Sequence, residues 1–184
     1  NPIERKLMQH KINSLRDRMK ENNVDLVVLG PGTHMRWLLG FNTHSDERPC
    51  MLLIGKDKEA FLMPSVNAED VRKRTDIAIN SWKDENGPDQ ALKEALIDIG
   101  ESDAKHIAID EAMRSHFALI LIEALPNPSY EFTGSTIGAM RMRKDQTEFI
   151  NLKENALIDD RAMQAGFAAI KEGVTELEIG QAIN

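Results

Sequence analysis

Cysteine is almost absent from this chain of 184 residues, and so is any long apolar segment. With Cys50 as its single cysteine, the chain forms no intrachain disulfide, which fits a reducing compartment. Cys50 stands between Pro49 and the apolar run 51–54, a context that predicts a buried strand thiol and not a nucleophile. No apolar stretch approaches the ~20 residues of a membrane span, and no signal peptide is visible. We therefore expect a cytoplasmic protein that has no membrane partner.

Basic residues are also fewer than acidic residues. The chain has 23 Lys and Arg against 30 Asp and Glu, which gives a formal net charge of −7. Because this excess of acid is spread along the chain, it disfavours binding to nucleic acid or to an anionic membrane surface. The first helix is basic against this background, and a solvated helix face is the plain interpretation of its charges.

Motifs that bind metals or phosphate are missing as well. The five histidines have no HExxH-type spacing and there is no cysteine pair, so we expect no metal site in this chain. Gly30-Pro31-Gly32 follows a strand pattern, as a phosphate loop does, but it lacks the GxGxxG spacing. Its proline also removes one amide donor, so a turn is the better interpretation.

Strand and helix patterns alternate along the chain up to Gly134. Apolar runs predict strands at 24–29, 50–55, 60–63, 77–82, 106–110 and 130–133, and periodic patterns predict helices at 4–22, 33–39, 67–74, 86–99 and 112–125. The second and third strands are close enough to form a hairpin. This alternation predicts an α/β fold, a three-layer α/β/α arrangement with a mixed central sheet.

The pattern changes near residue 135, where strands stop and two helices with capping boxes follow. The boxes are Asp145 with Glu148 and Thr175 with Glu178. They predict a long helix that extends to 172 and the beginning of another. We divide the chain into a domain at 1–137 and a helical C-terminal extension at 138–184. Because the chain stops soon after the second helix begins, we expect this extension to open a further domain.

Three stretches resemble the creatinase/prolidase family, which includes Xaa-Pro dipeptidases, Xaa-Pro aminopeptidases and creatinase. They are VDLVVLGPGTHMRWLLGF, DERPCMLLI and MRMRKDQTEFINLKENALIDDRAM…IKEGVTELEI. The first two resemble the family's N-terminal domain, so the resemblance implies a creatinase-type N-terminal domain at 1–137. The third resembles the linker and first helices of the pita-bread catalytic domain. The resemblance therefore implies a truncated metallopeptidase domain at 138–184.

The resemblance also implies a function, that of a metal-dependent Xaa-Pro dipeptidase or aminopeptidase. In the family, two Asp, one His and two Glu of the C-terminal domain hold two divalent metal ions, commonly manganese, cobalt or zinc. None of those positions exists in this chain, so we expect it to hold no cofactor and to be inactive alone. Two alternatives stay open: the N-terminal domain of a creatinase-like amidinohydrolase, and that of a non-catalytic binding relative.

The family's N-terminal domain caps the active site and mediates oligomerisation. The resemblance thus implies a homodimer or higher homo-oligomer, with a proline-containing peptide as the substrate of the longer protein. The loop after the Gly-Phe turn enters the neighbouring subunit's site, and the arginine that holds the substrate carboxylate there matches Arg48. His44 is the second candidate substrate-binding residue. Between Gly40 and Arg48 the chain is polar and acidic, unlike creatinase. A structural salt bridge of Arg48 with Glu47 or Asp46 is the alternative role.

Overall fold

The strongest apolar runs form the centre of a six-stranded sheet in the computed structural model, which describes residues 2–183. The strands are β1 (Leu26–Leu29), β2 (Met51–Ile54), β3 (Glu59–Pro64), β4 (Ala78–Trp82), β5 (His106–Ile109) and β6 (Ser129–Phe132). They lie in the order β4-β3-β2-β1-β5-β6. Strand β2 is antiparallel to β1 and β3, whereas β1 with β5, β5 with β6 and β3 with β4 are parallel. The predicted hairpin and mixed sheet are confirmed.

Helices cover both faces of this sheet. They are α1 (Pro2–Glu21), α2 (Thr33–Leu39), α3 (Ser65–Arg72), α4 (Asp89–Ile99) and α5 (Ser115–Glu123), followed by α6 (Ile137–Met142), α7 (Gln146–Ala169) and α8 (Glu176–Ile183). Alternate residues of a strand face opposite sides of a sheet. Accordingly, Val27 and Leu29 pack with α1, α2 and α3, and Leu26 and Val28 pack with α4 and α5. The predicted three-layer α/β/α architecture is confirmed.

Gly40 determines where the chain leaves α2. Its φ of 81° lies in the left-handed region, which favours glycine because other residues carry a Cβ. Its N–H donates to the carbonyl of Arg36 at 2.9 Å and closes the last turn of the helix. The chain then turns into the exposed loop at 42–48, which continues into β2.

The chain divides into two compact units, one ending at Arg141 and the other beginning at Met142. The division predicted from the sequence lies slightly earlier, after residue 137, because no local pattern predicts α6. That helix has six residues, too few for a periodic pattern to be recognised. Ile137 at its start is fully buried in the core of the first unit. Long-range packing, which the local pattern does not contain, therefore stabilises this helix.

Both predicted capping boxes of the second unit are confirmed. The N–H of Glu148 donates to Oδ1 of Asp145 at 2.8 Å, and the N–H of Asp145 donates to Oε2 of Glu148 at 3.1 Å. Thr175 and Glu178 make the same exchange at the start of α8. Each box satisfies two N–H groups that the helix itself leaves without partners.

Large apolar side chains stay exposed on α7. Phe149, Leu152 and Phe167 are 56%, 52% and 65% exposed. A row of apolar side chains on a helix surface is typical of a contact face. Charged residues interrupt this row on α7. Among the helices within residues 2–183, none is long and apolar enough to cross a bilayer.

Candidate functional site

The loop at 42–48 is anchored where it begins. The side-chain Oδ1 of Asn42 accepts hydrogen bonds from the N–H of Gly32 at 2.9 Å and of Thr43 at 3.0 Å. Thr43 is buried, and its hydroxyl lies 3.3 Å from the Sγ of Cys50. These contacts hold the first two residues of the loop against the first unit and leave the following residues to face solvent.

Arg48 extends from the end of this loop and forms an ion pair that the sequence analysis did not anticipate. Its Nη2 lies 2.9 Å from Oδ2 of Asp84, just after edge strand β4. The predicted structural partners were Glu47 and Asp46, but only the backbone N–H of Arg48 contacts Asp46, at 2.8 Å. The Arg48 side chain is 35% exposed and the Asp84 side chain 65%, so the ion pair is accessible to solvent.

His44 is the more exposed of the two predicted residues, with 68% of its side chain accessible. Its Nε2 lies 3.7 Å from Oδ2 of Asp46, the residue whose other oxygen accepts the N–H of Arg48. Asp46 therefore joins the two parts of the loop that carry the predicted donors. The loop presents one permanent cation and one imidazole, each beside a carboxylate that an incoming anion has to displace.

Helix α5 also holds the loop. His116 Nε2 lies 3.0 Å from the carbonyl oxygen of Glu47, so the imidazole donates a hydrogen bond to the residue before Arg48. His116 and Glu47 are 69 positions apart, so no local sequence pattern predicts this contact. The loop is fixed near both ends, by the contact of Asn42 with Gly32 and by the contacts of its last residues with Asp84 and His116.

A second polar cluster lies beyond the carboxyl ends of the parallel strands β1, β5 and β6. It comprises His34 at the start of α2, Asp110 and Glu111 after β5, and Thr133 after β6. In open α/β sheets, side chains that follow parallel strands meet at this edge. Donor and acceptor atoms of the histidine and the two carboxylates lie within 4.8 Å of one another. Polar residues directly after apolar runs were the sequence signal that was overlooked.

Hydrogen bonds occupy the atoms of this cluster. Thr133 Oγ1 donates to Glu111 Oε2 at 2.6 Å, and His34 Nε2 lies 3.3 Å from Glu111 Oε1 and 3.2 Å from Thr133 Oγ1. On the other side of the ring, Nη1 of Arg141 lies 2.8 Å from His34 Nδ1. Arg141 also donates to the hydroxyl of Thr33 at 3.1 Å. The network connects α6 to the sheet edge within the first unit.

This geometry assigns the tautomer of His34 and disfavours a metal ion. A guanidinium only donates hydrogen bonds, so the Nδ1 that faces Arg141 accepts and carries no proton. The imidazole proton is then on Nε2, where it points to Glu111 and Thr133. A metal ligand needs a free lone pair directed at the ion, and Nε2 offers none toward the carboxylates. The cluster is a satisfied hydrogen-bond network.

The two carboxylates of the cluster have opposite pKa changes. Burial alone raises the pKa of Glu111, but hydrogen bonds from Thr133, from its own backbone and from His34 outweigh burial and hold the pKa at about 2. Burial dominates at Asp110 and raises its pKa, although hydrogen bonds from Ala112 and Gly30 oppose the change. Glu111 is thus ionised at neutral pH.

A comparison with known protein families agrees with the fold. The Creatinase/Prolidase N-terminal domain family matches residues 11–143, well over half of the chain. The chain belongs to this family. The match extends from α1 through the strands to the end of α6, and it includes the loop at 42–48 and the His34 cluster.

Curated relatives of this creatinase/prolidase domain are peptidases. The chain is 25% identical over 169 residues to an Xaa-Pro dipeptidase from Lactobacillus delbrueckii subsp. lactis, covering 90% of the chain and 46% of that protein. It is 23% identical over 175 residues to an uncharacterized peptidase from Staphylococcus aureus, covering 92% and 47%. The chain spans about half the length of the curated relatives it matches.

Solved structures share the fold. A dipeptidase from Pyrococcus horikoshii OT3 superposes with a TM-score of 0.82 at 24% identity, covering 94% of this chain and 48% of that one. The dipeptidase PepE from Mycobacterium ulcerans has a TM-score of 0.82 at 17% identity, with 96% and 48% covered. A separately solved creatinase/prolidase N-terminal domain of an X-Pro dipeptidase from Streptococcus pyogenes has a TM-score of 0.61 at 15% identity, with 67% and 92% covered.

Proposed function

We propose that this chain is the N-terminal part of a metal-dependent Xaa-Pro dipeptidase or aminopeptidase, where it caps the substrate and mediates oligomerisation. One observation carries the proposal: an Xaa-Pro dipeptidase is similar over 90% of this chain, yet the match covers only 46% of that relative. The remaining half would hold the catalytic machinery. The bond cleaved would be the amide to proline, which has no N–H and a distinctive shape.

In this proposal Arg48 holds the carboxylate of a proline-containing peptide across a subunit interface. Its guanidinium offers a planar fork that matches a carboxylate, and it is accessible on a loop fixed at both ends. His44 adds a second donor to the same anion. Asp84 neutralises Arg48 before substrate arrives and is displaced by the substrate carboxylate.

The metal ions of the proposed enzyme would bind outside this chain. The family's catalytic chemistry relies on two divalent ions that provide Lewis acidity for amide hydrolysis. Among residues 2–183, one group of histidine and carboxylate side chains lies close enough to hold an ion, and it contains His34. Arg141 lies against this histidine and its other nitrogen is a donor, so the group does not fit a dinuclear site. We therefore propose that the chain alone is inactive.

Activity assays of the full-length protein test this function. Supplied with manganese, the full-length protein should hydrolyse Xaa-Pro dipeptides, and the 184-residue chain should not. The Arg48→Ala variant of the full-length protein should raise KM about tenfold or more with little change in kcat, as expected when a ground-state contact is lost. Arg72→Ala is the matched control, because Arg72 is exposed and lies on α3. Hydrolysis of creatine alone would refute the peptidase and favour the amidinohydrolase.

Mixed oligomers test whether Arg48 acts on a neighbouring subunit. An Arg48→Ala subunit is combined with a subunit that keeps Arg48 but is inactivated in its catalytic half. If Arg48 serves the neighbour, the mixed dimer contains one complete site and recovers the low KM. Recovery of only the high KM would place Arg48 in its own subunit's site.

The single buried thiol, Cys50, suits the cytoplasmic location that we propose.

A further inference from the structure

A cavity of about 470 Å³ lies between α1, α2 and the end of α3. Its volume falls in the range of small-molecule sites, roughly 300–1,000 Å³. The cavity lies on the face of the sheet that Val27 and Leu29 point to and that α1, α2 and α3 cover. It is lined neither by Arg48 and His44 nor by the His34 network.

The charged residues that line this cavity all have the same sign. Four cations line it, namely Arg5, Lys11, Lys73 and Arg74, and among the side chains that the structure describes no aspartate or glutamate does. This is unusual for a chain whose net charge is −7. A concave surface that concentrates one sign of charge raises the local concentration of the opposite ion.

Three of these cations have carboxylate partners on the surface around the cavity. Arg5 lies 2.5 Å from Asp76 and Arg74 lies 3.2 Å from Asp70. The Nζ of Lys73 lies 3.9 Å from Oε1 of Glu69, four residues earlier. All of these side chains are at least half exposed. Exposed ion pairs contribute little to stability, so they rearrange easily when another anion arrives.

Lys11 is different, because it has no carboxylate partner within the described part of the chain. Its Nζ donates to the backbone carbonyl of Trp37 at 2.9 Å and lies 4.1 Å from the centroid of the Trp37 ring. An ammonium group has three N–H donors, and the carbonyl accepts one of them. Among the described side chains no carboxylate compensates the charge of Lys11, which brings this positive charge and its further N–H donors to the cavity.

The rest of the lining is apolar and partly aromatic. Leu38 and Leu39 are buried and form part of the wall, and the half-buried side chains of Trp37 and Phe41 also line the cavity. Arg74 lies 5.9 Å from the centroid of the Phe41 ring. Aromatic rings with nearby cations suit a flat apolar group that carries a negative charge.

We propose that this cavity binds a small organic anion, in which a carboxylate or a phosphate is attached to a planar apolar body. Lys11 contacts the anionic group, and the planar body lies against Trp37 and Phe41. The proposal is independent of the peptidase function, because it uses no residue of the loop at 42–48.

Calorimetric titration of the 184-residue chain tests the proposal. The probes are 1-naphthoate, 1-naphthyl phosphate and the neutral 1-naphthalenemethanol, which share the same planar body. We expect both anions to bind about tenfold or more tightly than the alcohol, and the tighter anion identifies the preferred head group. Binding should also change the fluorescence of Trp37, which is measured in a Trp82→Phe background.

Variants of two lysines on α1 locate the site. Lys11→Gln should weaken binding of the preferred anion about tenfold and leave binding of the alcohol unchanged. Lys6→Gln is the matched control, since Lys6 is exposed on α1 and does not line the cavity. If Lys11→Gln does not fold, the double variant Lys73→Gln with Arg74→Gln replaces it, with the same expected direction.

Three results would overturn the proposal. They are equal affinity for the alcohol and the anions, equal anion affinity in the Lys11→Gln and Lys6→Gln variants, and no binding of any probe up to roughly 1 mM. The first would indicate an apolar cleft without charge selection. The second would place the anion elsewhere on the surface.

Discussion

Arg48 Nη2 lies 2.9 Å from Asp84 Oδ2, and this ion pair joins two segments that the sheet keeps apart. Arg48 precedes β2 and Asp84 follows β4, with β3 between those strands. The pair aligns the guanidinium while leaving it accessible. A carboxylate from another molecule would therefore compete with Asp84 for a donor that is already in position.

We predict that this pair contributes little to stability. Arg48→Ala and Asp84→Asn should each change the free energy of unfolding by less than about 1 kcal/mol, because the pair is partly exposed and screened by solvent. Urea denaturation of the chain measures the change. A loss above about 2 kcal/mol in both variants would favour the structural role of Arg48 over the substrate role.

Glu111 should make stability depend on pH in the acid range. Its pKa in the folded chain is about 2, below the usual 4.5, so its stabilising contribution is complete above pH 4.5 and is lost as the pH falls toward 2. The Glu111→Gln variant lacks this contribution. The difference in urea midpoint between wild type and variant should therefore shrink from about pH 7 to about pH 3.

Asp110 acts in the opposite direction, because burial raises the pKa of its carboxyl group. Ionised Asp110 lowers stability at neutral pH, and this cost is relieved on acidification. The charge of Glu111 is one of the causes that raise the pKa of Asp110, so Glu111→Gln also reduces this cost, and the difference between the two chains reports both carboxylates together. A difference that stayed constant over the acid range would contradict the assignment.

The thiol of Cys50 should be inert in the folded chain. Burial raises its pKa to about 11, although a hydrogen bond with Thr43 opposes this effect, and 2% of the residue is exposed. At about pH 8 roughly a thousandth of such thiols is ionised. Labelling with an aromatic disulfide reagent should be slow in buffer and fast in concentrated urea. Rapid stoichiometric labelling with an unchanged circular dichroism spectrum would show that the thiol is accessible.

Gly55→Ala should destabilise the first unit by about 1–3 kcal/mol. A Cβ at this position would lie 2.7 Å from Cγ of Glu101 and 3.3 Å from the carbonyl oxygen of Lys58. Glu101 is 4% exposed and accepts the N–H of Lys56 at 2.9 Å, so its displacement leaves buried polar groups without partners. Gly134→Ala is the control, because a Cβ there meets nothing within 4 Å. Equal denaturation midpoints for the two variants would refute the prediction.

Divalent metal ions should leave the thermal unfolding of this chain unchanged. The Nδ1 of His34 faces Arg141 and the Nε2 proton points to Glu111 and Thr133, which leaves no imidazole lone pair for an ion. Differential scanning calorimetry with and without manganese or zinc measures the effect. A rise in Tm that disappears in the His34→Gln variant would show that the cluster does bind metal.

Much of the fold follows from short segments of the sequence. The apolar run of β1 predicts a strand buried on both faces, and Gly100 predicts the end of α4, where its φ is 80°. Both features depend on neighbouring residues and their intrinsic preferences. Helix α6 was missed because its stability comes from burial of Ile137 in the core, which no local pattern records.

The candidate site was only partly predictable. Resemblance to the family led to Arg48 and His44 as substrate-binding residues, and these assignments stay predictions. Neither Asp84 nor His116 was expected as a partner of the loop, since they lie 36 and 69 residues from the groups that they contact. The His34 network was not predicted because its members follow three different strands, which only the tertiary fold brings together.

By itself, the sequence determined the alternation of strands and helices, the capped helices of the second unit and the family to which the chain belongs. Only the tertiary structure decided which polar side chains meet: Asp84 with Arg48, Arg141 with His34, and Lys11 with the carbonyl of Trp37. The reason is physical. Secondary structure follows from local backbone preferences and apolar periodicity, whereas these contacts depend on the strand order and helix positions that burial of the whole core imposes.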